Sequence, residues 1–227
     1  MMKAIHQTLD AAILKPEMTE TEVIGALNTC LKYEPATVCV RPCDIALAQD
    51  HCRDSTTGVC VVLGFPHGDQ LSASKADEAH RYCAMGVDEI DMVVNFGWVL
   101  SGRWNAVHAD IIAVTAAAKP TQTPVKVIFE SCFLNQQQIE KLTEVCIAAE
   151  ANFVKTSTGF NGSGATEEAV EAMVRIANGR IAVKASGGIR DVAMARRYLE
   201  LGASRLGVGF GSVAALCSGK GQSQEAY

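Results

Sequence analysis

The sequence predicts an α/β protein built as a single (β/α)8 TIM barrel, and three observations carry that prediction. Short apolar runs recur eight times, amphipathic stretches fill the intervals, and the runs are almost continuously apolar instead of alternating. The runs centre on Leu9, Val38, Val61, Asp91, Val127, Val154, Val183 and Gly207. Their spacing averages roughly 28 residues, the length of one strand plus one helix. Runs such as Val59-Cys60-Val61-Val62-Leu63 and Val125-Lys126-Val127-Ile128-Phe129 read as parallel strands covered on both faces. Strict alternation repeated through the whole chain favours the closed barrel, with a doubly wound open sheet as the second solution.

The intervals carry their own signals. Thr19-Glu20-Thr21-Glu22 is a capping box ahead of Val23, Ala26, Leu27 and Cys30, which fall on one helical face. Ala79, Cys83 and Gly86 mark another helix, and Val107, Ile111 and Val114 a further one before Pro120. Asn135 caps a helix whose apolar face is Ile139, Leu142, Cys146 and Ala149. Asp191 caps one running through Ala195, Tyr198 and Leu199, with Gly202 as its stop.

With 227 residues, 48% of them hydrophobic, the chain can bury a sizeable core as one domain over 1–227, and no Pro/Ser-rich linker divides it. The Gly, Ser and Gln content of 218–227 reads as a flexible C-terminal tail. A net charge of −5 argues against nucleic-acid or anionic-membrane partners. The start of the sequence has no apolar signal region, and no stretch reaches the roughly 18 uninterrupted apolar residues of a membrane span. The expectation is a cytoplasmic protein. Nine cysteines without a C-x-x-C pair, most of them in apolar segments, fit reduced buried thiols. Five histidines form no spaced ligand pair, so no metal is expected.

Chemistry concentrates where the strands end. In Phe153-Val154-Lys155-Thr156-Ser157-Thr158-Gly159 an apolar run delivers a lysine into hydroxyls and glycine, and Ile181-Ala182-Val183-Lys184-Ala185-Ser186-Gly187-Gly188 repeats the pattern one strand later. A nucleophilic amine must titrate several units below the ordinary lysine value. A second cation provides that: two like charges about 5 Å apart repel by roughly 3 kcal/mol at an effective dielectric of 20, about two pH units. Lys184 is then the tuning charge and Lys155 the nucleophile, although mutual repulsion alone leaves the opposite assignment open. Asp10, Asp91, Asn95 and Glu130-Ser131 join the lysines at the strand ends. A structural ion pair closing the barrel is the plainer role for Asp91, a proton relay the catalytic one. Together these residues describe an aldolase working through an iminium.

The same stretches resemble the deoxyribose-phosphate aldolase family: Lys155-Thr156-Ser157-Thr158-Gly159-Phe160, Glu89-Ile90-Asp91, Lys126-Val127-Ile128-Phe129-Glu130-Ser131, Leu63-Gly64-Phe65-Pro66-His67-Gly68 and Lys184-Ala185-Ser186-Gly187-Gly188-Ile189-Arg190. The resemblance implies reversible cleavage of 2-deoxy-D-ribose 5-phosphate to D-glyceraldehyde 3-phosphate and acetaldehyde, in deoxyribose catabolism and without cofactor or metal. It makes Lys155 the Schiff-base lysine, Asp91 the relay acid and Lys184 the tuning lysine. The implied partners are small aldehydes and sugar phosphates, and a homodimer is compatible with it. Some members similarly end in a tyrosine that assists proton transfer, which singles out Tyr227. Phosphate falls to the glycine-rich ends of the last two strands: Gly187 and Gly188, then Gly209, Gly211 and Ser212. Two departures stand out. Ala11-Ala12 follows Asp10 where the family often has His-Thr, and Gly209-Phe210 replaces its adjacent serines. The competing readings are another Schiff-base aldolase or transaldolase acting on a ketose phosphate, and a barrel retained for binding or regulation.

Overall fold

In the computed structural model of the protein, residues 4–219 are described. Eight parallel strands close into a ring in sequence order: β1 (Leu9–Ile13), β2 (Thr37–Val40), β3 (Gly58–Leu63), β4 (Glu89–Val93), β5 (Val125–Ile128), β6 (Phe153–Lys155), β7 (Ala182–Ser186) and β8 (Arg205–Gly209), with β8 pairing back onto β1. The closed barrel is the first of the two expected architectures, and all eight expected runs are strands.

The helices are α1 (Glu20–Leu31), α2 (Ile45–Cys52), α3 (Ser72–Ala84), α4 (Phe96–Leu100), α5 (Trp104–Ala118), α6 (Gln136–Ala148), α7 (Glu167–Ala177), α8 (Val192–Glu200) and α9 (Val213–Ser218). The expected capping box forms at Thr19 with Glu22, the Asn135 cap proves to be a second box with Gln138, and Asp191 accepts from the Met194 N–H as the α8 cap. Each satisfies backbone donors that the first helical turn leaves without partners.

Strand parity sorts the side chains into two cores. Leu9, Val38, Val61, Ile90, Val127, Val154, Val183 and Leu206 point outward and pack with Val23, Leu27, Ile111, Leu142 and Met173 of the helices. The alternate positions point into the ring, where period-two geometry must place them. There the β1–β3 side is apolar and small, with Ala12, Leu14, Cys39, Cys60 and Val62 in contact and Phe65 packed against them. The remaining side, β4 to β8, is charged, and Asp10 of β1 joins it.

Two placements differ from the sequence reading. Asp10 lies inside β1 instead of following it, and Lys184 is the middle residue of β7 instead of its end. Of the tail expected over 218–227, Ser218 ends α9 and Gly219 caps it in the left-handed region. The remainder, Tyr227 included, lies outside the described residues. No helix among the described residues is long and apolar enough to cross a membrane.

Candidate active site

Lys155 and Lys184 are direct register partners on β6 and β7. Each donates to Asp91 Oδ2, at 2.7 Å in both cases. The other Asp91 oxygen accepts from Lys126 Nζ at 2.6 Å and from the Cys60 thiol at 3.2 Å. Asp91 is fully buried, and Lys126, Lys155 and Lys184 are nearly so.

The cluster continues downward. Lys184 Nζ lies 2.5 Å from Asp10 Oδ2, a close charge contact without hydrogen-bond alignment. Asp10 Oδ1 accepts from Thr37 at 2.8 Å and from Arg205 at 2.6 Å. Arg205 also forks onto Glu89, which Lys126 reaches at 2.6 Å, and lies over the ring of Phe153. Three carboxylates (Asp10, Glu89, Asp91) thus face four cationic side chains (Lys126, Lys155, Lys184, Arg205). Desolvating so many charges costs more than simple pairing returns, so the arrangement points to chemistry and not to stability.

The electrostatics separate the two candidate lysines. Burial opposes the charge of Lys184, but Asp10 and Asp91 outweigh it and hold the amine above its ordinary range. Lys126 behaves the same way: burial works against its charge, and Asp91, Cys60, Asp10 and Glu89 together prevail. Burial would raise the Asp91 carboxyl, yet Lys126, Lys155 and Lys184 hold it well below the carboxylate range. Lys184 and Lys126 are therefore held as cations, and Asp91 rests as an anion between them. Among the described residues, Asp91 is the only carboxylate that Lys155 meets.

Glycine at 207 makes this packing possible. A Cβ there would stand 3.1 Å from Lys184 Cε and 2.7 Å from Ser186 Cβ, closer than ordinary contact allows. The loop after Lys155 is held through its hydroxyls. Thr156 Oγ1 donates to the Ser186 carbonyl, and Ser186 Oγ to the Ser157 carbonyl at 2.6 Å. Thr158 donates to Glu130 through both N–H and hydroxyl, and Asn161 bridges Glu130 to the Pro66 carbonyl. Glu130 sits in the left-handed region at φ 56° to make this clamp. The mouth is flanked by Phe65 and Phe160, which meet edge to face at 5.1 Å between ring centres.

The glycine-rich ends fall on adjacent loops, since β7 and β8 pair. Gly188 and Gly209 face open space where a side chain would be, leaving their backbone approachable. Gly187 instead packs against Gly164, 2.7 Å from a notional Cβ, and serves loop packing. Gly211 and Ser212 lie in a 3₁₀ turn, Phe210–Ser212, that leads into α9, and Phe210 packs partly on the outer core.

Asp91, Lys155 and Lys184 are brought together as expected, with Asp10. Sequence reasoning gave no role to Lys126, Glu89 or Arg205. The signal was parity: Glu89 precedes Asp91 by two, Arg205 precedes Gly207 by two, and Lys126 registers against Asp91, so all of them face inward.

Comparison with known proteins settles the family. The sequence matches the DeoC/LacD family of aldolases over residues 3–215. The chain belongs to this aldolase family. It is 40% identical to a deoxyribose-phosphate aldolase of Mannheimia succiniciproducens over 203 residues, 89% of this chain and 90% of that one. Among solved aldolase structures, a protein from Coccidioides immitis described as a deoxyribose-phosphate aldolase superposes with a TM-score of 0.88 at 36% identity, covering 92% of this chain and 83% of the other. The tetrameric deoxyribose phosphate aldolase of Aeropyrum pernix gives 0.86 at 26% identity, over 94% and 89%.

Proposed function

We propose that this protein is a deoxyribose-phosphate aldolase with Lys155 as its Schiff-base nucleophile. The observation that carries the proposal is the unequal environment of the lysine pair: Lys184 is clamped between two carboxylates, whereas Lys155 shares one of them from the open end of the barrel. With four cations against three carboxylates, the cluster carries one positive charge more than it can pair. Lys155 is the amine of the pair with the fewer anionic partners.

The Lys155 amine adds to the open-chain aldehyde carbon of the substrate, and loss of water leaves an iminium. A base removes the proton of the hydroxyl two carbons away, the carbon–carbon bond between them breaks, and the iminium accepts the electron pair as an enamine. Glyceraldehyde 3-phosphate departs. Protonation of the enamine carbon and hydrolysis then release acetaldehyde and the free amine. Asp91, reached by water, serves these proton transfers, while Lys184 keeps the site positive.

The inward cluster of Ala12, Leu14, Cys39, Cys60, Val62 and Phe65 favours acetaldehyde over ketose-type donors. In a ring of eight strands β2 stands opposite β6, so Lys155 faces a small apolar wall lacking the hydroxyl-binding groups that a dihydroxyacetone-like donor requires. Phosphate is assigned to the backbone of Gly188, Gly209 and Gly211, together with Ser212, while Gly187, packed against Gly164, shapes the first of these two loops. Arg190, exposed two residues beyond Gly188, brings a cation to that loop. The N-terminus of α8 is already taken by the Asp191 carboxylate.

Borohydride added with acetaldehyde tests the assignment. The expected product is a stable two-carbon adduct on the Lys155 peptide by mass spectrometry. An adduct on Lys184 instead would reverse the roles of the two lysines, and none at all would remove the iminium mechanism.

A further inference from the structure

Cys39 and Cys60 occupy neighbouring strands in direct register, their Cα atoms paired across β2 and β3. Adjacent strands lie about 4.8 Å apart, inside the window of about 4.4–6.8 Å that a disulfide spans. Both side chains point into the ring, where the concave curvature of a closed sheet brings neighbours closer still. Their Sγ atoms and an Asp91 carboxylate oxygen all lie within 4.8 Å of one another. Cys60 Sγ is also 3.2 Å from Lys126 Nζ. Both thiols are free in the structure.

A metal ion is a poor occupant of this trio. Asp91 already accepts from three ammonium groups, and a further cation would meet all three. Oxidation needs no such occupant. We propose that Cys39 and Cys60 are a modification site, an oxidisable dithiol that closes to a disulfide under peroxide and lowers turnover by disturbing Asp91.

The two thiols suit different halves of that reaction. The neighbouring Cys60 thiol, against burial and Asp91, holds the Cys39 thiol below its ordinary value, helped by Lys184 and Lys155. Burial, the neighbouring Cys39 and the Asp91 charge push Cys60 well above its own. Cys60 also donates its proton to Asp91 Oδ1 at 3.2 Å, so Cys39 is the attacking sulfur and Cys60 the resolving one. The Cys39 thiolate takes one oxygen from hydrogen peroxide as a sulfenic acid, releasing hydroxide. Cys60 then gives up its proton and displaces the sulfenic hydroxyl as water, forming the S–S bond. Two thiols and one peroxide become one disulfide and two waters; the sulfurs are oxidised and the peroxide reduced. Peroxide is smaller than the proposed aldehyde substrate.

Closure draws Cys60 Sγ toward Cys39 and removes its proton, so Asp91 loses one donor while its ammonium partners remain. The effect on turnover rests on the aldolase reading; formation of the disulfide does not.

The test treats the full chain with hydrogen peroxide, blocks remaining thiols with N-ethylmaleimide and maps peptides without reduction. The expected result is a Cys39–Cys60 cross-linked peptide two hydrogens lighter than the separate peptides. Acetaldehyde release should fall by at least about threefold, given a weak thiol donor on a charged acceptor, and return with dithiothreitol. Cys39→Ser and Cys60→Ser should each keep their own untreated rate after peroxide. Recovery of Cys39 and Cys60 as unlinked maleimide adducts, or a cross-link mapping to other cysteines, overturns the site. A mapped Cys39–Cys60 disulfide with unchanged turnover overturns its coupling to Asp91. Because the peptide map needs no activity, it decides the site even if the substrate assignment fails.

Discussion

Replacing Lys184 by Met isolates what the second lysine contributes. Methionine keeps an unbranched apolar stem and removes only the charged end. In the structure both amines lie 2.7 Å from the same Asp91 oxygen, so their separation is at most twice that. Two unit charges about 5 Å apart at an effective dielectric near 20 interact by roughly 3 kcal/mol, equivalent to about two pH units. With Lys184 gone, three carboxylates face three cations, and Lys155 is needed in its charged form to balance them. The acid limb of the pH–rate profile should then move up by about two units, and turnover at pH 7 should fall on the order of a hundredfold. Much of that loss should return near pH 9. Thr37 and Arg205 still hold Asp10, so the fold should survive, which a thermal melt checks. The assay is acetaldehyde release across pH, with borohydride trapping at the same pH values as a second readout of the amine. A profile that keeps its position while the rate drops equally everywhere would refute the electrostatic argument and leave Lys184 as a proton donor or a packing element.

Burial raises the Asp10 carboxyl, but Lys184, Lys126 and Arg205 pull it well down, so its stabilisation is complete above the unfolded value near 3.9 and is lost as pH falls toward the folded one. The raised lysines contribute below their unfolded value near 10.4 and lose that contribution only at higher pH. Asp10→Asn should therefore flatten the loss of stability between about pH 5 and pH 2 and barely alter the slope from about pH 6 to pH 9, as urea titrations would report. Gly207→Ala should cost about 1–3 kcal/mol by overpacking and lower turnover by displacing Lys184; a reduced Tm with unchanged kcat would show that the amine keeps its place. Phe210→Ser should raise kcat/KM for 2-deoxyribose 5-phosphate over 2-deoxyribose by about tenfold, the worth of one hydroxyl-to-phosphate bond, at some cost in Tm from lost packing. Equal effects on both substrates would remove the phosphate-specific role. Tyr227→Phe should slow deuterium exchange into acetaldehyde by about a hundredfold or more if the hydroxyl is a positioned acid, with trapping on Lys155 intact; unchanged exchange would leave Tyr227 without a catalytic role.

The barrel was legible because each strand carries its own apolar run and α1, α6 and α8 carry readable caps. The shorter pieces were less so: α2 and the five-residue α4 offer too few turns for a helical period to emerge, and α7 follows the glycine-rich stretch 159–164, which reads as loop. Asp91, Lys155 and Lys184 were readable as charges embedded in strands, which burial makes costly. Their neighbours were not, because Lys126, Glu89 and Arg205 acquire meaning only from register across the ring. Glu130 was quoted within a motif, but its clamp on Thr158 and Asn161 depends on a left-handed backbone that composition does not reveal. The glycine-rich loops after β7 and β8 were half legible. Glycine signalled tight backbone at 187 and 188 alike, and only geometry separates the residue that packs from the one that stays open.

The contact between Asp10 and Arg205 joins the first strand to the last across 195 positions of sequence. During synthesis Lys155 leaves the ribosome before Lys184 and well before Arg205. On the proposed assignment, Lys155 gains its neighbour Lys184 when β7 joins β6 and its fully held Asp91 only when β8 closes the ring, so closing the barrel is what completes the site.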